Sequence, residues 1–177
     1  MRRVALFFTS IAVMVCVAAV VAFAVTITGC ATCGGNKGTT LNGTASADNI
    51  AGGAGGDTIN GRGGNDQLYG DGGNDIVNGL GGNDRLDGGN GNNTLNAGAG
   101  NDFAMGNSGS DHVFLGDGGD IANVADLTAG NDLVGCGGAD GEEDIVIMDQ
   151  NGDDDVLQNC NEIDPAFGPD EVRSLVF

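Results

Sequence analysis

GGAGGDTIN (52–60), GRGGNDQLY (61–69), GDGGNDIVN (70–78) and GLGGNDRLD (79–87) follow one another without an inserted residue. The same frame runs from Gly43 to Asn123 as nine consecutive units of nine residues. The sixth position holds Asp48, Asp57, Asp66, Asp75, Asp84, Asn93, Asp102, Asp111 and Asp120. The fourth is Ser46 and then Gly55, Gly64, Gly73, Gly82, Gly91, Gly100, Gly109 and Gly118. The eighth carries one aliphatic residue per unit: Ile50, Ile59, Leu68, Val77, Leu86, Leu95, Ala104, Val113 and Ala122. Three columns in register over such a length define a repeat architecture.

Each column has a physical meaning. Positions seven to nine read x, aliphatic, x, the period of a short strand with the aliphatic side chain turned inward. Positions one to six, rich in Gly with Asn or Ser at five, read as turn. Strand, turn, strand, turn makes a flattened coil with two units per circuit, so units n and n+2 stack one strand spacing apart. The sixth-position residues then fall into two rows. Asp48, Asp66, Asp84, Asp102 and Asp120 line one edge, and Asp57, Asp75, Asn93 and Asp111 the other.

Composition agrees with this reading and excludes others. The chain has 177 residues, 35 of them Gly and 2 Pro, with 25 Asp plus Glu against 6 Lys plus Arg, a formal net charge of -19. Gly without a three-residue period and without abundant Pro excludes collagen, and Gly at this density argues against long helices. The charge argues against nucleic acid and anionic membrane surfaces as partners. With no Trp and one Tyr, the bulk that fills a conventional core is missing.

Carboxylates stacked at strand spacing repel one another unless a cation lies between them. Carboxylate and carbonyl oxygens suit a hard ion that accepts six or more ligands in flexible geometry, which is calcium rather than zinc or copper; magnesium prefers a tighter octahedron with retained waters. One aliphatic residue per nine cannot offset the entropy of ordering the chain. The expectation is a domain that folds on binding calcium.

The units resemble the RTX (repeats-in-toxin) nonapeptide G-G-x-G-x-D-x-U-x, where U is aliphatic. That resemblance implies an all-β fold, a parallel β-roll forming a right-handed solenoid, with several calcium ions held in its turns. It implies that each ion sits between successive turns of one edge, on the sixth-position side chains and on carbonyls near positions one to four. On this chain those carbonyls belong to Gly52, Ala54, Gly55, Gly61, Gly63, Gly64, Gly70, Gly72, Gly73, Gly79, Gly81 and Gly82. The best-matched pairs are Asp57 with Asp75, Asp66 with Asp84, and Asp84 with Asp102. Asn93 should make a weaker site, its amide lacking charge. Ser46 and Leu115 depart from the turn pattern, which marks the first and ninth units as caps.

Residues 1–24 read as a secretory signal peptide: Arg2 and Arg3, an apolar run from Val4, and Ala22-Phe23-Ala24 as the cleavage site. Two alternatives stay open. Ile27-Thr28-Gly29-Cys30 resembles a lipobox that would put a lipid on Cys30, and the apolar run is long enough to anchor the chain uncleaved. All three readings place the body of the protein outside the cytoplasm, secreted or at the cell surface. The even number of cysteines left after cleavage reads as two disulfides, with proximity favouring Cys30–Cys33 and Cys136–Cys160.

Residues 25–42 form a lead-in to the repeats. From 124 to 163 the repeat slips and degenerates into a continuation and cap. Gly130 and Asp132 regain positions four and six, and Asp144 and Asp155 each precede a short aliphatic run. An EF-hand reading of Asp149–Asp155 fails, because Asp154 stands where Gly is needed and Cys160 where the bidentate Glu belongs. Residues 164–177 form a tail.

The sequence carries no nucleophile elbow, His-Glu metal motif or Walker loop, and the lone His112 sits at an outward strand position. The expectation is a structural or adhesive calcium-binding protein without catalytic activity. The alternative is a calcium-dependent binder of a glycan or of ice through an outward strand face. Position seven, the column such a face would need regular, runs Asn49, Thr58, Gln67, Ile76, Arg85, Thr94, Phe103, His112, Ile121.

Overall fold

Alternation of buried and exposed residues runs through each unit and into the next, and it sets the strand length. The computed structural model of the chain describes residues 26–28, 38–125, 131–137, 144–148, 156–158 and 160. Its strands are β1 (Thr26–Thr28), β2 (Thr40–Asn42), β3 (Asn49–Ala54), β4 (Thr58–Asn60), β5 (Gln67–Gly72), β6 (Ile76–Gly81) and β7 (Arg85–Asn90). They continue as β8 (Thr94–Ala99), β9 (Phe103–Ser108), β10 (His112–Asp117), β11 (Ile121–Asn123), β12 (Leu133–Gly135), β13 (Ile145–Ile147) and β14 (Val156–Gln158). Among the described residues there is no helix.

Odd-numbered strands make one seven-stranded sheet in the order β1-β3-β5-β7-β9-β11-β13, and even-numbered strands the other, β14-β12-β10-β8-β6-β4-β2. Every pairing is parallel. Within the repeats the register is eighteen residues, as Leu68 against Leu86 and Val77 against Leu95 show. This is the all-β parallel roll with two units per circuit.

Between the sheets lies a single-file core. The eighth-position residues from Ile50 to Ala122 are all fully buried, each aliphatic one contributing about 1.5–3 kcal/mol. Ala97 and Leu115, both at position one, are buried beside them. Cys136 joins this core and is bonded to Cys160, with the Cα atoms 4.6 Å apart. The other expected pair, Cys30–Cys33, lies outside the described residues, as do the 1–24 segment, the Asp149–Asp155 stretch and the tail.

The strands are longer than the repeat pattern suggests. Positions one to three, read from sequence as turn, extend the strand of the preceding unit, so that only positions four to six turn the chain. Gly misled here because its position-one role is spatial. A Cβ on Gly79 would lie 2.4 Å from Asp84 Oδ2 and 2.5 Å from the Ala97 carbonyl oxygen, so a side chain is excluded although the backbone is extended. Left-handed backbone is needed at position four, where Gly82 has φ +116°. Position two is also left-handed and tolerates Arg62, Asp71, Leu80 and Asn107.

The first and ninth units are not terminal, contrary to the expectation drawn from Ser46 and Leu115. β1 and β2 precede unit one and pair with β3 and β4, while β11, in unit nine, pairs onward with β13. Leu115 departs from the pattern inward and is fully buried in the core.

Candidate metal centre

At each turn the sixth-position carboxylate points into the roll and divides its two oxygens between different tasks. Oδ1 reaches back to the preceding turn on the same edge and accepts its backbone N–H. Asp66 accepts from Asp48 at 2.7 Å, Asp75 from Asp57 at 2.7 Å, Asp84 from Asp66 at 2.8 Å, and Asp102 from Asp84 at 2.7 Å. Asn93 does the same for Asp75 at 3.0 Å, since its amide oxygen replaces Oδ1. Position five makes a counter-running ladder, in which Asn65 Oδ1 accepts the Asn83 N–H and Asn74 Oδ1 the Asn92 N–H. Sequence reading treats those Asn residues only as turn formers; their recurrence in the column is the signal of the ladder.

Oδ2 is the chemically open atom. In Asp57, Asp66, Asp75, Asp84 and Asp102 it is buried and receives no hydrogen bond from the described residues. In Asp57, Asp66, Asp75 and Asp84 it faces the position-one residue of its own unit and a carbonyl of the next same-edge unit. The space beside the Gly61 Cα has Asp66 Oδ2 and the Gly79 carbonyl on its rim, at 2.4 and 3.0 Å from where a Cβ would be. Beside Gly70 the corresponding atoms are Asp75 Oδ2 and the Gly88 carbonyl, at 2.6 and 2.4 Å. Two acceptor oxygens that face one space with no donor between them require a cation or a proton.

The electrostatics agree. Burial, with a smaller contribution from the carboxylate of a neighbouring same-edge turn, pushes the carboxyls of Asp75, Asp84 and Asp102 from 3.8 up to about 6. Asp66 is raised for the same reasons. A hard divalent ion beside Oδ2 reverses this, because it stabilises the ionised form that burial disfavours. The donor set therefore fits calcium.

Not every expected residue joins this arrangement. Asp48 Oδ2 accepts the Thr44 N–H at 2.5 Å and the Thr44 hydroxyl at 3.0 Å, which occupies the atom left open elsewhere. Asn93 presents an Nδ2 donor that bonds the Gly91 carbonyl at 3.2 Å. Among the position-three residues, the Gly72 carbonyl accepts the Gly55 N–H at 2.7 Å within the ladder between turns. Ala54, Gly63, Gly72 and Gly81 lie on the outer side of the strands, half-buried or exposed. The left-handed Gly55, Gly64, Gly73 and Gly82 let successive turns close on each other: a Cβ on Gly82 would lie 1.9 Å from the Gly64 carbonyl oxygen.

The rows continue past the slip. Asp132 Oδ1 accepts the Asp111 N–H at 2.7 Å, and Asp144 Oδ1 the Asp120 N–H at 3.0 Å. Asp144 is a row member that the sequence reading did not count as a site residue; the aliphatic run after it is the signal that could have placed it. His112 is exposed and outside both rows. Among the described residues, no three His, Cys, Asp or Glu side chains group around a single ion position. Coordination in the turns must then draw heavily on main-chain carbonyls, as calcium permits.

Five overlapping windows, 34–68, 42–77, 51–86, 69–104 and 87–122, match the family model of the RTX calcium-binding nonapeptide repeat (4 copies), and together they span half of the chain. Comparisons with curated proteins and with solved structures return no match.

Proposed function

The chain belongs to the RTX calcium-binding nonapeptide-repeat family, and from that premise we propose that it is an exported calcium-binding β-roll that folds on binding calcium and serves a structural or adhesive role without chemistry of its own. Calcium binding in the turns, by several ions, comes with the family. The observation that carries the finer reading is the row of buried Oδ2 atoms, those of Asp57, Asp66, Asp75 and Asp84 each turned toward a carbonyl with no proton donor between them. We assign the ions to Asp57, Asp66, Asp75 and Asp84 with the position-one carbonyls of Gly70, Gly79, Gly88 and Ala97 in turn, and to Asp102, whose Oδ2 is likewise buried and open. Asp111, Asp120 and Asp132 extend the rows. Asp48 and Asn93 are the weak members, because Thr44 and Gly91 already engage the atoms that would face the ion.

Export rests on the N-terminal pattern, and the pairing of β1 supports cleavage after Ala24 over lipidation of Cys30. Processing at Cys30 would remove Thr26–Thr28, which pairs with Asn49–Ala51. Calorimetric titration of the metal-free chain with calcium, followed in parallel by far-UV circular dichroism, tests the whole reading. A β-rich spectrum that is unchanged in excess EDTA overturns folding on binding.

A further inference from the structure

The two outer faces of the roll are chemically unlike, and the difference is invisible until the units are sorted by sheet. In the odd-numbered sheet the outward residues include Asp71, Arg85 and Asp87. In the even-numbered sheet position seven reads Thr40, Thr58, Ile76, Thr94, His112, and position nine reads Asn42, Asn60, Asn78, Asn96, Phe114. The four Asn side chains form a continuous ladder, each Nδ2 donating to the preceding Oδ1 at 3.0, 2.8 and 2.7 Å. From β2 to β10 this face carries only Arg62 and, at the end of β10, Asp117 as charged groups, in a chain of net charge -19. Of the five large apolar side chains exposed among the described residues, three lie here: Ile76 (45%), Leu80 (52%) and Phe114 (42%).

We propose that the outer face of the even-numbered sheet is a docking surface for a second copy of this chain, packed face to face about a two-fold axis. Charge selects the occupant: two copies of so acidic a chain repel least through a face that from β2 to β10 carries one carboxylate, Asp117, set against Arg62. The face is also self-complementary. An axis running across the strands over the position-nine column brings Ile76 onto Leu80 of the second copy, Phe114 onto its own counterpart, and His112 over the small Gly116. Such a dimer is isologous, with an apolar, charge-poor centre.

Four strands of 3 residues and three of 6, at about 3.3 Å per residue and about 4.8 Å spacing, offer roughly 475 Å² per copy. The pair therefore buries roughly 950 Å², in the range of weak, transient interfaces. The association is accordingly weak, with a micromolar dissociation constant. A lattice such as ice or a crystalline glycan fits less well, since Ile76, His112, Leu80 and Phe114 interrupt the repetition such a ligand must match.

Sedimentation velocity on the purified chain in millimolar calcium, over a concentration series spanning the micromolar range, tests this. A monomer–dimer equilibrium is expected. Leu80→Lys and Ile76→Lys, both at exposed positions, should each weaken it at least about tenfold while the circular dichroism and the calcium stoichiometry stay unchanged. Gln67→Lys, on the opposite face, should leave it unaltered. Phe114→Cys should form an intermolecular disulfide under mild oxidation. A monomer throughout the series overturns the proposal, as does a dimer indifferent to Leu80→Lys, or a monomer that instead shows thermal hysteresis or glycan binding lost in Leu80→Lys. Calcium stoichiometry, read on the same samples, separates failure of this inference from failure of the calcium reading.

Discussion

Replacing Asp84 by Asn should move the metal-free and calcium-bound states in opposite directions. Asn93 shows what the substitution does locally. Its amide oxygen keeps the bond to the preceding N–H, and its Nδ2 turns to the carbonyl two residues before it. Asn at 84 would likewise retain the bond to the Asp66 N–H and donate to the Gly82 carbonyl, so the ladder survives and only the open Oδ2 disappears. In the metal-free fold that atom is a liability. A carboxyl raised from 3.8 to about 6 opposes folding at neutral pH by on the order of 1–3 kcal/mol, allowing for solvent screening.

Asp84→Asn should therefore fold more readily in EDTA by about that amount, while calorimetry counts one calcium ion fewer and the calcium-induced transition becomes shallower. Urea melts in EDTA and calorimetry in calcium read the two effects separately. An unchanged stoichiometry together with a metal-free fold no more stable than the parent would refute the assignment of Oδ2 as the calcium-facing atom.

Three further outcomes follow from the same geometry. Carboxyls raised in the fold contribute stability that is present below the unfolded value of 3.8 and lost as pH rises through about 6. In EDTA the β-signal should thus grow as pH falls from 7 toward 4, whereas in calcium acid should weaken ion binding; a flat metal-free profile contradicts this. Gly82→Ala, at φ +116° and with its Cβ 1.9 Å from the Gly64 carbonyl oxygen, should cost more than about 3 kcal/mol and raise the calcium concentration needed for folding. Cys136→Ser should lower stability in calcium by about 3 kcal/mol, read as a urea-midpoint shift that reductant reproduces in the parent chain, because the bond closes a loop of sequence separation 24.

How far the sequence reaches depends on whether a property belongs to one unit or to the stacking of units. The eighth-position column, the Asp rows and the two-unit circuit are local periodicities, and Ile50 through Ala122 fall into the core as their alternation requires. Strand length is different. Gly at position one carries the same letter whether it bends the chain or makes room for a carboxylate, and only the approach of Asp84 Oδ2 and the Ala97 carbonyl to Gly79 distinguishes the two. Leu115 shows the converse, since an apparent break in the turn pattern is a core residue.

The sequence alone determined the period, the all-β solenoid, the carboxylate rows and, through their charge, the kind of ion they need. Each of these is a repeat statistic, and a nine-residue unit that alternates in and out has one way to bury its aliphatic column. Only the tertiary structure decided which carboxylate oxygen caps a neighbour and which stays open, and why Asp48 differs from Asp66. Those properties rest on contacts eighteen residues apart. The sheet to which a unit belongs is set by its parity in the coil, so a column that looks irregular along the chain separates in space into two faces, one of them carrying the Asn42–Asn60–Asn78–Asn96 ladder.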